Sequence, residues 1–154
     1  MTVIRKKFVN PLASMVGYVH GLSLEEATTA AEANLALIQD DCLASLDQAL
    51  AVIYQQLPKL CHTQDPAQAQ AVYQAANQVH ALGGLCKLAP LGKAAFCLCE
   101  LIEACRATGR WNALALETHL QALKLLRQPP ANSNPKSEDA IIAGLLKVIK
   151  KVSQ

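Results

Sequence analysis

From Ser23 onward the chain repeats apolar residues at spacings of three and four, the period of a helix with one buried face. In the first such segment Ala31, Leu35, Ile38, Cys42, Leu46, Ala49, Ile53 and Leu57 fall on that stripe. Ser23 and Glu26 precede it as an S-x-x-E capping box. Pro58 is the predicted stop, because proline cannot continue the hydrogen-bond ladder. Asp65 and Pro66 open a second helix as N-cap and first helical residue. Val72, Ala75, Val79, Leu82 and Cys86 form its buried face. Its predicted end is near Leu88, since Pro90 biases Ala89 away from helical geometry. A third helix is predicted over 91–108, burying Leu91, Ala95, Leu98, Ile102 and Cys105, with Gly109 as its stop. A fourth, over 111–127, buries Leu116, Leu120 and Leu123.

Pro129, Pro130, Asn132, Ser133, Asn134 and Pro135 then make a linker of turn and breaker residues. Ser137 caps a last helix, with Glu138 and Asp139 in its first turn and Lys147, Lys150 and Lys151 toward its end, as the helix dipole favours. Ile141, Ile142, Leu145, Leu146 and Ile149 form its apolar side. The pattern predicts an all-α protein: an antiparallel four-helix bundle with an additional C-terminal helix. Residues 1–22 read as an arm, 23–128 as the bundle, 129–136 as the Pro/Asn linker and 137–154 as the amphipathic helix. The arm starts with Arg5, Lys6 and Lys7 like a secretion signal. Asn10, Pro11, Ser14, Tyr18 and His20 leave it without the apolar run such a signal needs.

Composition narrows the function classes. Charged residues are 17% of the 154, below the roughly 25% usual for a globular domain. Such a sparsely charged surface fits either a partner-binding face or an Ala-rich exterior. The net charge of +2, aromatics at 4% and scattered basic residues argue against nucleic-acid binding, which needs a dense basic face. The last helix has a short, partly acidic polar face, which argues against a membrane-surface role and for packing on the bundle or on a partner. Six cysteines, at 42, 61, 86, 97, 99 and 105, include no C-x-x-C pair. Cys97 and Cys99 point to nearly opposite sides of a helix. They read as buried thiols acting as small hydrophobes, with no metal or cofactor implied. Free thiols fit a reducing, cytoplasmic setting.

One residue breaks the pattern. At about 100° per residue, His80 lies opposite the second helix's buried face, on a strip with Tyr73, Asn77, Gly84 and Lys87. Gly83-Gly84 then falls within the predicted helix, where each glycine costs about 1 kcal/mol relative to Ala. Either the helix kinks there or something approaches its backbone closely; an exposed, inert histidine beside a helix irregularity is the plainer reading.

The stretch from about Ala71 to Leu126 resembles histidine phosphotransfer (HPt) domains, the four-helix relay modules of two-component signalling. The matching residues are His80, Leu82 and Gly84, then Leu91-Gly92 at the start of the next helix, then Leu98, Glu100, Leu101 and Glu103, with a polar hairpin at 106–110. The sequence departs from the family at Gly83, where a lysine is usual. It departs again at Leu91-Gly92, which comes two residues late. The resemblance implies a phosphoryl carrier rather than an independent enzyme, with His80 as acceptor. The implied partner is a response-regulator receiver domain, with a hybrid histidine kinase as a further candidate. Tyr73, Asn77, Gly83 and Gly84 become the expected receiver-docking residues. On continued helical geometry Lys87, two turns beyond His80, would replace the missing lysine. The alternative is a degenerate bundle acting as a non-catalytic interaction or assembly module. His20, His62 and His119 receive no role, and His119 is expected at the edge of the fourth helix's apolar face.

Overall fold

A computed structural model describes residues 23–128 and 134–153, the side chain of Cys61 excepted. The protein is all-α: the described residues form helices α1 (Leu24–Thr63), α2 (Pro66–Gly83), α3 (Ala89–Thr108), α4 (Ala113–Arg127) and α5 (Pro135–Val152), with no strand among them. The arm at 1–22 and linker positions 129–133 lie outside the described residues. None of the helices is long and apolar enough to cross a membrane.

The helix starts follow the capping chemistry. The Ser23 N–H donates to Glu26 Oε2 at 2.7 Å and the Glu26 N–H to Ser23 Oγ at 3.2 Å. Asp65 Oδ1 accepts the Ala67 N–H at 2.9 Å. Asn112 Oδ1 accepts the Ala115 N–H at 2.9 Å, which moves the start of α4 from Trp111 to Ala113. α5 starts two residues earlier than Ser137: Asn134 is its N-cap, and Ser137 returns the bond from the third position. Asn134 and Pro135 therefore belong to the helix start and not to the linker.

Two predicted helix ends differ. Pro58 lies inside α1, which runs on to Thr63. An interior proline costs about 3 kcal/mol, but Leu57 and Leu60 on either side of it are both buried in the core, and that burial carries the helix through. α1 ends instead at Gln64, whose φ of 50° turns the chain while its N–H donates to Leu60 O. Regular α2 runs to Gly83, and a closing turn carries the chain on to Leu88. The Leu88 N–H reaches back to Gly83 O at 2.7 Å and the Lys87 N–H to Gly84 O at 3.2 Å, with Lys87 at φ 58°. This is the bonding pattern of a Schellman closure. Gly109 ends α3 in the left-handed conformation, as expected.

α3 is the central helix. It packs against α2, α4 and α5, and α4 also packs against α5. That is why Cys97 and Cys99, on opposite sides of α3, are both buried. The α2–α3 pair is antiparallel: Gln70 meets Arg106, Tyr73 meets Cys99 and His80 meets Gly92. α1 and α4 also run antiparallel. Arg127 grips Asp47 with two nitrogens at 2.8 and 2.9 Å, and one turn away the Lys124 ammonium lies 5.7 Å from the centre of the Tyr54 ring.

The chain divides at Leu37–Ile38 into two compact units. The core belongs to the second, where the α1 stripe is buried from Leu46 onward. Leu35 and Ile38, predicted to be buried, are 50% and 48% exposed, and Ala31 is exposed as well.

Candidate functional site

Where α2 and α3 come closest, the residues are small: Gly83 on α2 and Gly92 on α3 are both buried and face each other. Small side chains let two helix backbones approach closely, and here the approach is closest between two glycines. A Cβ on Gly83 would lie 2.8 Å from Gly92 Cα and 3.2 Å from Leu88 O, and one on Gly92 would lie 3.2 Å from His80 O. The close approach inferred at Gly83 is thus internal. Gly83 is buried against α3 and cannot be a docking residue. Gly84 is different: it is exposed, has a helical φ of −68°, and a Cβ there would meet nothing within 4 Å.

This glycine contact places His80 at the edge of the α2–α3 seam. The imidazole is exposed, on the face predicted for it. Its Nδ1 is 3.1 Å from Gly92 O. A carbonyl oxygen can only accept, so Nδ1 carries the proton and Nε2 keeps its lone pair. The Phe96 ring, 46% exposed, lies 5.1 Å from the imidazole at a 42° tilt. One hydrogen bond and one ring contact therefore fix the histidine in a single tautomer with Nε2 as the available nitrogen. This is the arrangement a nucleophile or ligand needs.

The other predicted residues fall around it unequally. Asn77 is exposed on the same strip. Tyr73 is half-buried: its carbonyl oxygen lies 3.7 Å from the Cys99 thiol, and its ring lies 5.8 Å from the Arg106 guanidinium. Lys87 is exposed and follows a last helical turn that runs on to Cys86, whose N–H donates to Leu82 O at 2.9 Å, but its positive φ turns its side chain off the line of the α2 residues. Sequence reasoning missed Phe96, the acceptor role of Gly92 O and the exposed Lys93 beside it. Phe96 did leave a signal: it is the one large aromatic in the third helix, and it lies off that helix's apolar stripe.

The remaining candidate chemistry is structural. Burial pushes the Cys86, Cys97 and Cys105 thiols up, and Cys99, with Glu103 nearby, up to about 11. These groups stay protonated at neutral pH and are poor nucleophiles. His119 is fully buried rather than at an edge. A cleft of about 440 Å³ lies at the far end of α2, lined by Gln64, Pro66, Gln70, Cys105, Arg106 and Trp111 among others. Gln70 is ten residues from His80, ~15 Å along the helix, so the cleft and the histidine are separate features. Arg106 there is already engaged, donating to Gln70 Oε1 at 3.0 Å. The chain matches no protein-family model, no curated protein and no solved structure.

Proposed function

We propose that the protein is a histidine phosphotransfer protein of two-component phosphorelay signalling, with His80 carrying a phosphoryl group between receiver-domain aspartates. The observation that carries this reading is an exposed histidine whose Nδ1 is engaged by Gly92 O, which leaves Nε2 as the ring nitrogen for chemistry. The helical arrangement supports it. α1 to α4 are read as an antiparallel four-helix bundle, on the α2–α3 and α1–α4 pairings and the short turns between them, with α5 as an addition laid on α3 and α4. Cytoplasmic signalling is the setting this reading implies.

The chemistry asks little of this chain. Nε2 attacks the phosphorus of an aspartyl phosphate; the N–P bond forms, the P–O bond breaks, and the aspartate leaves as a carboxylate. The Nδ1 proton stays on the ring, donated to Gly92 O, so the imidazolium that forms keeps its partner. No proton has to be removed for the step to balance. Catalysis is then positioning and charge neutralisation.

Wild type and His80→Ala should be incubated with a panel of phosphorylated receivers. The expected result is label on wild type alone, lost in acid and stable in base as a phosphoramidate is. Equal labelling of the two proteins removes His80 from the role. Receiver binding by both without labelling of either favours the non-catalytic interaction module, a reading supported by Phe96 and Leu85, which are 46% and 51% exposed near the seam.

Gly84 gives an independent probe of the docking face. Gly84→Leu meets no neighbour and needs no unusual backbone, so stability should hold or rise by about 0.5 kcal/mol through the unfolded chain's lost freedom. Receiver affinity should fall about tenfold, a loss of ~1.4 kcal/mol. Thermal melting and binding measured on one preparation check both halves of this expectation.

A further inference from the structure

We infer that Lys93 is the cation that faces the phosphoryl group on His80, an assignment that rests on the phosphotransfer reading. Three observations converge on it. Lys93 directly follows Gly92, whose carbonyl oxygen holds the His80 ring, so its backbone is one peptide bond from that anchor. It is exposed and lies three residues before Phe96, on the same flank of α3, and the Phe96 ring lies against the imidazole. Its ammonium has no carboxylate within ion-pair distance among the described residues. On this flank Glu100 is the next acid, seven residues on and ~10 Å along the axis, too far to hold it.

The same contact excludes the other place such a charge could sit on α2. No side chain fits at Gly83, because its Cβ would run into the backbone of Gly92. With position 83 closed, Lys93 is the lysine on α3 next to the residue that holds His80. Its four-carbon stem and compact ammonium suit a mobile phosphoryl group that arrives and leaves. Lys87, in the turn after α2, is the competitor.

The test separates this assignment from the relay reading by using a donor that needs no receiver. His80 is phosphorylated with potassium phosphoramidate, and its phosphorus resonance is identified by its absence in His80→Ala. The protonation midpoint of the phosphoryl group is then followed by phosphorus NMR in wild type, Lys93→Ala, Lys93→Arg and Lys87→Ala. A nearby cation favours the dianion. Lys93→Ala should therefore raise the midpoint by about half a pH unit, as expected for one charge at ~4–6 Å in a solvent-like medium. Lys93→Arg should restore most of the shift, high salt should shrink it, and Lys87→Ala should move the midpoint less than half as far. An unchanged midpoint in Lys93→Ala, a larger shift in Lys87→Ala, or no phosphorylation of His80 by phosphoramidate overturns the assignment. If the midpoint shifts as expected yet no receiver labels the wild type, Lys93 stands as the phosphoryl partner and the relay reading alone fails.

Discussion

Gly83→Lys is expected to destabilise the fold by about 3 kcal/mol, and Gly83→Ala by roughly 1–2 kcal/mol, despite the better helix propensity of both residues. An added Cβ at 2.8 Å from Gly92 Cα meets backbone, which cannot rotate away as a side chain could. α2 and α3 would have to separate. The contacts along the seam would loosen, and His80 Nδ1 would lose Gly92 O. The gain of about 1 kcal/mol from removing a helical glycine is too small to offset this. In a thermal melt Gly83→Ala should lose roughly 5 °C, while Gly84→Ala, one residue on, loses nothing. Equal melting temperatures for Gly83→Ala and wild type would mean that the helices do not meet through this glycine. Under the proposed phosphotransfer reading, the helix contact leaves no room at position 83 for a lysine, so the glycine there is weak support for lost phosphotransfer.

The contrast between Gly83 and Gly84 shows where sequence reasoning stops. Sequence identifies a glycine pair that needs a cause; only the register between α2 and α3 shows that the cause is Gly92 rather than a partner protein. Phe96 is hidden for the same reason: its ring meets His80 across a helix pair, and the spacing within one helix says nothing about what lies opposite. By contrast the exposed face of His80, the capping box at Ser23–Glu26, the Asp65-Pro66 start and the Gly109 stop depend on residues within one or two turns, and all were legible. Pro58 departs from the local rule because burial of Leu60 decides there. Leu35 and Ile38 depart from theirs because an apolar stripe shows that something could cover it, not that something does.

Acid should unfold this protein earlier than its carboxylates alone require, through His119. The side chain is fully buried. Its Nδ1–H donates to Ala115 O at 2.8 Å, and its Nε2 has no partner among the described residues. Burial holds its pKa below the usual value of 6.5, outweighing the Ala115 bond, which acts the other way. The folded state thus binds fewer protons than the unfolded one. The neutral ring's contribution is complete above the unfolded pKa near 6.5 and declines as pH falls from there. The decline stops once the folded pKa is passed, and its slope reaches at most about 1.4 kcal/mol per pH unit. The Asp47 carboxylate, lowered by its bond to Arg127, adds a separate loss that begins only near pH 3.8. His119→Leu removes the orphaned nitrogen and keeps the buried volume. It should cost less than about 1 kcal/mol at pH 7.5, since the Ala115 carbonyl oxygen has its helix partner. At pH 5 the difference should move in favour of His119→Leu, because wild type alone loses the neutral ring's contribution. Urea titrations of both proteins at pH 7.5, 6.5, 5.5 and 5.0 give the comparison. Parallel declines in the two would show that the imidazole is protonated as easily in the folded core as in the unfolded chain.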